Sequence, residues 1–275
     1  MSYADNLLLK AAGALEHTFP ARGGPYVCGV DLGTASIILV ALDSAGEPAA
    51  CEMEACRVAQ DGLVVDYMGA IAIVKRLKGK LEERLGARLT DAAIAVPPGT
   101  SRANSGAHRN VTEAAGFEVA DIADEPVAAN AVLRIQNGVV VDIGGGTTGL
   151  SIIEDKKVVY SADEPTGGIH ISLVLMGRNK FTYEQAEAFK QDPRNTKEVY
   201  AAVRPVLEKM ATIVERHVRG YNVKETWLVG GTSCLPGIEQ VFSDILGAPA
   251  YKPVRPMLVT PLGIALCCRA AVLKP

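Results

Sequence analysis

Two acidic, glycine-rich segments decide how this chain folds: Gly29-Val30-Asp31-Leu32-Gly33-Thr34 and Val141-Asp142-Ile143-Gly144-Gly145-Gly146-Thr147-Thr148. Each sits directly behind a run of strand-forming apolar residues, so each predicts a strand that carries an aspartate out to its mouth. The glycines let the backbone turn sharply with its N–H groups bare, and the threonine hydroxyl adds a donor. Two such turns facing each other would grip one polyphosphate, with Asp31 and Asp142 free to hold a hydrated magnesium ion. A single aspartate in such a turn is more often a cap, and the pairing is what points to phosphate.

Outward from these segments the chain repeats itself. The first half predicts strands over Tyr26 to Val30, Ile37 to Leu42 and around Ala50 to Met53, with an Asp43-Ser44-Ala45-Gly46 turn between the last two. A helix from about Tyr67 to Leu85, a buried strand Ala92 to Val96 and a helix from about Ala103 to Ala115 follow. The second half gives strands Val139 to Ile143, Leu150 to Ile153 and Val158 to Ala162, then helical sequence from Ile169. A long amphipathic helix presents Val199, Val203, Val206, Met210, Ile213 and His217 on one face. Next come a strand Thr226 to Val229 and a helix after Pro236 ending near Leu246. Internal duplication into two α/β lobes with a cleft between them explains the repeated order. The lobes divide as residues 26–136 and 137–260, with 1–25 a helix and linker before them and 261–275 returning toward the first lobe.

Two helices link the halves. One starts at Asp124-Glu125-Pro126-Val127-Ala128-Ala129, an acidic first turn with proline near the start. The other is Thr260-Pro261-Leu262-Gly263-Ile264-Ala265-Leu266, with Thr260 as cap and Pro261 in the first position. Their small side chains allow a close crossing, where a hinge would lie. Ahead of the core, Leu7, Leu8, Ala11, Ala12, Leu15 and Phe19 follow helical spacing, and residues 20–25 form a proline- and glycine-rich linker. That segment is expected to pack locally yet be dispensable for folding, with partner docking as the alternative use.

Composition narrows the function classes. With 275 residues, 48% hydrophobic content and a net charge of −3, the chain can bury ordinary α/β cores. One tryptophan, five phenylalanines and no basic stripe argue against nucleic acid. No run approaches the roughly 18 apolar residues of a membrane span, and the N-terminus lacks a signal pattern, so cytoplasmic residence is expected. The six cysteines lack C-x-x-C spacing and read as reduced core thiols.

Five motifs in order, covering roughly Tyr26 to Leu273, resemble the actin and DnaK-type heat-shock chaperone ATPase superfamily: Asp31 to Ser36, Glu125 to Ala131, Asp142 to Thr148, Leu228 to Gly237 and Thr260 to Leu266. The resemblance implies duplicated ribonuclease H-like lobes around a central cleft that binds ATP with Mg2+. Segments Ala95 to Thr100 and Ser161 to Leu173 resemble one branch of it, the chaperone-like proteins of bacterial ethanolamine utilisation. That implies pathway enzymes such as ethanolamine ammonia-lyase, or microcompartment proteins, as partners, and association with a microcompartment.

Carried over by position, the resemblance places Asp31 and Asp142 toward the metal and Gly33, Thr34, Gly144, Gly145, Gly146 and Thr147 at the phosphates. Glu125 would orient the attacking water, with Asp142 and Thr147 beside it. Gly230, Gly231 and Thr232 would meet the adenosine, and Gly167 and Gly168 would open a helix near the ribose and phosphates. Positioning and charge compensation suffice for phosphoryl transfer, so such a set is chemically complete enough for a slow ATPase at most.

The departures define the alternative. Ala35 stands where a second hydroxyl is expected, and Gly149 where these chaperones carry an aspartate. Between Asp61 and Ala92 there is room for one helix only, so the insertion bearing a catalytic lysine is missing; Lys75, Lys78 and Lys80 are not assigned its role. Between Lys190 and Val199 there is no room for the second inserted subdomain. A minimal two-lobed core results. It is expected to serve as a chaperone-like nucleotide-binding protein, or alternatively as a non-hydrolysing nucleotide-binding or interaction module on the same fold. A small-molecule kinase would need a segment for an acceptor pocket, which this core lacks.

Overall fold

The apolar run Val27–Leu32 (β1) is buried along nearly its whole length, because it becomes the middle strand of a sheet covered on both faces. The computed structural model describes residues 2–19, 25–60 and 62–273. Ahead of β1 lies α1 (Tyr3–Gly13). After it come β2 (Ser36–Leu42), β3 (Pro48–Ala55), the hairpin β4 (Ala59–Gln60) and β5 (Leu63–Val64), α2 (Tyr67–Leu85), β6 (Asp91–Val96), α3 (Arg102–Ala114) and β7 (Glu118–Asp124). The linking helix α4 (Glu125–Leu133) leads to β8 (Gly138–Ile143), β9 (Thr148–Glu154), β10 (Lys157–Glu164), α5 (Gly168–Asn179), α6 (Tyr183–Gln191) and α7 (Thr196–Val218). The chain closes with β11 (Thr226–Val229), α8 (Ile238–Leu246), β12 (Ala250–Tyr251) and α9 (Val259–Val272).

The two halves build the same sheet. Strand order is β3-β2-β1-β6-β7 in one and β10-β9-β8-β11-β12 in the other. In each, the first three strands are antiparallel neighbours and the last two pair parallel. Asp31 and Asp142 are both the fifth residue of the six-residue central strand, so duplication puts the two carboxylates at equivalent mouths. The sequence reading found four strands of each five-stranded sheet and, besides the separate β4–β5 pair, missed β7 and β12. Both are outer strands without an apolar run: β7 is acidic and only half-buried, and β12 has two residues.

Between the sheets lies a shared core. Leu262, Ile264 and Ala265 of α9 and Ala128, Ala129 and Val132 of α4 pack with Ile38 and Val40 of the first sheet and with Val140 and Val229 of the second. The helices cross closely: a Cβ on Gly263 would lie 1.9 Å from the Ala128 carbonyl oxygen. Backbone meets backbone again at β1, where a Cβ on Gly29 would lie 2.4 Å from Ala265 N. α2 and α3 cover the outer face of the first sheet; α5, α7 and α8 cover that of the second.

Some local expectations change. The segment read as dispensable is part of the central core: Leu7, Leu8, Ala11 and Ala14 are buried among α4, α9 and sheet residues. Its tail also pairs with β3, since Cys51 N donates to Ala14 O at 2.9 Å and Phe19 N to Ala49 O at 2.8 Å. Linker residues 20–24 lie outside the described residues. On α7 the buried stripe is Val199, Val203, Leu207, Met210, Ala211 and Val214, one row away from Val206, Ile213 and His217. Both rows are apolar in sequence, and the neighbours choose: His217 instead faces Tyr160 Oη and Glu164 Oε1, each at 2.8 Å. Thr260 is not the cap of the last helix, which starts one residue earlier and has Leu258 at that position. Of the cysteines, Cys28, Cys51 and Cys268 are core thiols, whereas Cys234 is exposed. Among the described residues, the first insertion point holds the β4–β5 hairpin ahead of α2, and the second a single 3-10 turn at Pro193–Asn195 between α6 and α7.

Candidate functional site

The strand-end turns of the two sheets meet across the cleft. Asp31, Gly33, Thr34, Glu125, Asp142, Gly144, Gly145, Gly146, Thr147, Gly230 and Gly231 line one cavity of about 100 Å3. Gly167, Gly168 and Thr232 stand behind it, bracing the Gly144–Thr147 turn: the Thr232 hydroxyl donates to Gly144 O at 2.7 Å, and Gly168 N donates to the same oxygen at 3.0 Å. Ile169 N takes the next carbonyl, that of Gly145, at 2.8 Å. With its carbonyls held from behind, this turn keeps the N–H groups of Gly145 and Gly146 without a protein acceptor among the described residues. Bare N–H groups in a turn make an anion-binding concavity.

Three carboxylates gather at this point. Asp142 accepts a hydrogen bond from the Thr260 hydroxyl, which ties the second sheet to α9. Gly230, at φ +86°, lies so close that a Cβ there would be 2.3 Å from Asp142 Oδ1. Burial pushes Asp142 up to about 6, against the lowering effect of Thr260. Burial, reinforced by the charge of Asp142, pushes Asp31 up to about 7. Glu125 is raised well above the usual carboxylate range by burial and then by Asp142, Asp31, Asp163 and Asp124. Among the described residues no lysine or arginine lines the cavity to offset these charges.

Sequence reasoning missed several of the cavity's neighbours. His108 on α3, Gly62 in the β4–β5 hairpin, Met257 and Thr260 all line it. Thr260 carried a signal, which was spent on a helix cap; His108 carried none, because nothing along the chain says which face of α3 turns inward. Asp163 is the cross-strand partner of Gly149, and a Cβ on Gly149 would be 3.5 Å from its Oδ1 and 3.2 Å from Pro98 Cδ. An aspartate at 149 would crowd that carboxylate and the proline.

The lobes also touch above the cavity. A Cβ on Gly145 would be 3.2 Å from Ala35 Cβ and 3.4 Å from Thr34 Cβ, so the two turns abut. Farther out, Arg57 of the β3–β4 segment lies 3.5 Å from the Tyr183 ring centroid and donates to Glu184 at 3.3 Å, joining the first lobe to α6.

Sequence profiles for the MreB/Mbl protein and for cell division protein FtsA match residues 48–186 and 139–263. MreB5 of Spiroplasma citri, in a crystal structure bound to ADP, shares the fold, with a TM-score of 0.72 at 16% identity over 91% of this chain and 99% of that one. Fold and cleft together define a two-lobed protein of the actin-like ATPase fold. The ethanolamine utilization protein EutJ of Salmonella typhimurium is 42% identical over 264 residues, 96% of this chain and 93% of the relative. The crystal structure of ethanolamine utilization protein EutJ from Carboxydothermus hydrogenoformans matches with a TM-score of 0.90 at 47% identity, over 96% of this chain and 99% of that one. The chain belongs to the EutJ family of ethanolamine utilization proteins.

Proposed function

We propose that this protein is a chaperone-like, nucleotide-binding component of ethanolamine utilization that assists or protects pathway enzymes such as ethanolamine ammonia-lyase. The observation that carries the nucleotide half is the convergence of the bare N–H groups of Gly145 and Gly146 with Asp31, Asp142 and Glu125 in one interlobe cavity. The ethanolamine half rests on the family to which the chain belongs.

The donor set suits magnesium. Two buried carboxylates held toward their protonated forms gain most from a cation, and magnesium keeps several waters while taking one or two carboxylates. Among the described residues no group of three His, Cys, Asp or Glu side chains is placed to hold a metal ion directly, so the reading rests on two carboxylates with water as the remaining ligands. Asp31 and Asp142 would hold it, and bound there it would neutralise phosphate charge. Gly33, Thr34 and Gly144 to Thr147 cradle the phosphates, Glu125 stands beside the reacting phosphate, and Gly230 to Thr232 border the adenosine.

Pockets that take drug-sized ligands run to about 300–1,000 Å3, several times the roughly 100 Å3 present here. Nucleotide entry therefore requires the lobes to part, and affinity is reduced by the work of parting them. Turnover is slow or absent, because the lining, among the described residues, supplies no cation from a side chain. The abutting turns favour one second reading, an interaction module on this fold that binds nucleotide without hydrolysing it.

The deciding experiment is calorimetric titration with magnesium-ATP at low salt, together with turnover measured with and without ethanolamine ammonia-lyase. Weak, magnesium-dependent binding that Asp142→Ala reduces is the expected result. Tight binding indifferent to Asp142, or brisk hydrolysis by the isolated chain, would overturn the reading; the absence of any binding would leave the purely interacting module.

A further inference from the structure

His108 is an unused group at the centre of the cleft. It sits on α3, is 2% exposed, and lines the same cavity as Glu125 and both glycine turns. Its Nδ1 lies 3.1 Å from the Asn104 carbonyl oxygen. A carbonyl only accepts, so Nδ1 carries the proton and the tautomer is fixed. Nε2 then holds a lone pair, and no described residue donates to it. Burial lowers the pKa of the ring, which keeps it neutral. Nε2 is not among the buried polar atoms left without a partner, so it reaches solvent, and it does so in the cavity that His108 lines. The cavity beside it offers the partner.

We propose that His108 is a catalytic residue whose Nε2 accepts a hydrogen bond from, and then takes the proton of, the water that attacks the terminal phosphate of a bound nucleoside triphosphate. The inference rests on the nucleotide reading above and adds to it the group that receives the proton. A neutral nitrogen lone pair cannot face a phosphate oxygen directly, because both are acceptors. It needs a donor between them, and water is the donor that fits. Glu125, on α4, is another acceptor lining the cavity beside Asp31 and Asp142; burial and four neighbouring carboxylates raise it well above the usual carboxylate range in the free protein, and it is assigned to orient the water.

In the step, the water oxygen bonds to the terminal phosphorus while the bond from phosphorus to the bridging oxygen breaks. The bonding pair leaves on the diphosphate. The water proton passes to Nε2, giving an imidazolium that later returns the proton to solvent.

The test uses the full chain labelled with 15N-histidine and followed by NMR, with His108 assigned among the four histidines by through-bond experiments. The free protein is expected to show the neutral Nδ1–H tautomer. Magnesium-ADP with vanadate, a mimic of the transferring phosphate, should move the Nε2 signal toward its protonated position, and magnesium-ADP alone should not. Under enzyme excess, His108→Gln should lower single turnover about a hundredfold or more with nucleotide affinity unchanged. Nucleotide binding that depends on Asp142 while His108 signals stay still would overturn the inference and leave the nucleotide reading intact. Turnover at background in wild type and variant alike would overturn proton uptake by His108. Loss of all nucleotide binding by the wild-type chain would overturn both. Because the NMR arm needs no variant, it stands even where His108→Gln fails to fold.

Discussion

Replacing Leu8 by alanine tests whether the N-terminal helix belongs to the core. Leu8 is fully buried, whereas Leu9, its neighbour on the same helix, is 43% exposed. Leucine to alanine removes three carbons, about 2.4 kcal/mol of transfer free energy at about 0.8 per carbon. The cavity left in the central core cluster raises the cost within about 2–5 kcal/mol. Leu9→Ala should stay within about 0.5 kcal/mol. The first is a large fraction of a net stability of about 5–15 kcal/mol. It should lower the melting temperature by roughly 5–15 °C for a chain of this size. The helix is also tied to its surroundings by polar contacts: Lys10 reaches Glu47 at 3.1 Å, Arg84 donates to Ala14 O and His17 O at 2.7 and 2.6 Å, and Arg134 lies 3.8 Å from the Tyr3 ring centroid. Truncation through residue 19 should therefore be more damaging than Leu8→Ala. Urea and thermal unfolding followed by circular dichroism give the comparison. Equal effects from Leu8→Ala and Leu9→Ala, or an unchanged melting curve after truncation, would refute the packing argument.

Other outcomes follow from the cleft. Asp31 and Asp142 titrate near 7 and 6 in the folded chain against 3.8 ordinarily, so their stabilising contribution is complete below about pH 4 and is lost as pH rises through 6 and 7. In metal-free buffer these groups should make the melting temperature fall from about pH 5 to about pH 8, Asp31→Asn should flatten that slope, and magnesium should restore stability most at the alkaline end; a slope unchanged by Asp31→Asn would count against the paired carboxylates. Gly230→Ala places a methyl against Asp142 at a positive φ, so magnesium-dependent nucleotide binding should weaken about tenfold or more even if the fold survives, as calorimetry would show. Arg57→Ala removes the stacking on Tyr183 that joins the lobes, and nucleotide affinity should rise about two- to fivefold, the range of an exposed cation–π contact. Unchanged affinity would mean that this contact does not hold the cleft shut.

Much of the architecture was written in local order. The duplicated strands, the turns behind Asp31 and Asp142, and the close helix crossing at Gly263 are legible because each depends on neighbours along the chain: apolar runs, glycine where backbone must bend or touch, and caps. The α2 limits were legible for the same reason, with Asp66 accepting from Gly69 N at one end and Gly86 at φ 62° ending the other. The cleft membership of Asp31, Glu125 and Asp142 could be read because duplication turns a sequence repeat into a spatial symmetry.

What the chain could not disclose alone depends on packing between distant segments. The apolar face of α1 is equally consistent with a docking helix; only its burial against α4 and α9 makes it core. The row that α7 buries, the donation from Thr260 to Asp142, the position of Asp163 beside Gly149 and the inward turn of His108 each join residues tens of positions apart. Local propensity is blind to such pairs. The sequence by itself determined two acidic, glycine-rich turns on a repeated α/β scaffold, because periodicity and glycine placement act over a few residues; tertiary structure decided how far apart those turns stand and which side chains share their charge, because those depend on how two sheets settle against one pair of crossing helices.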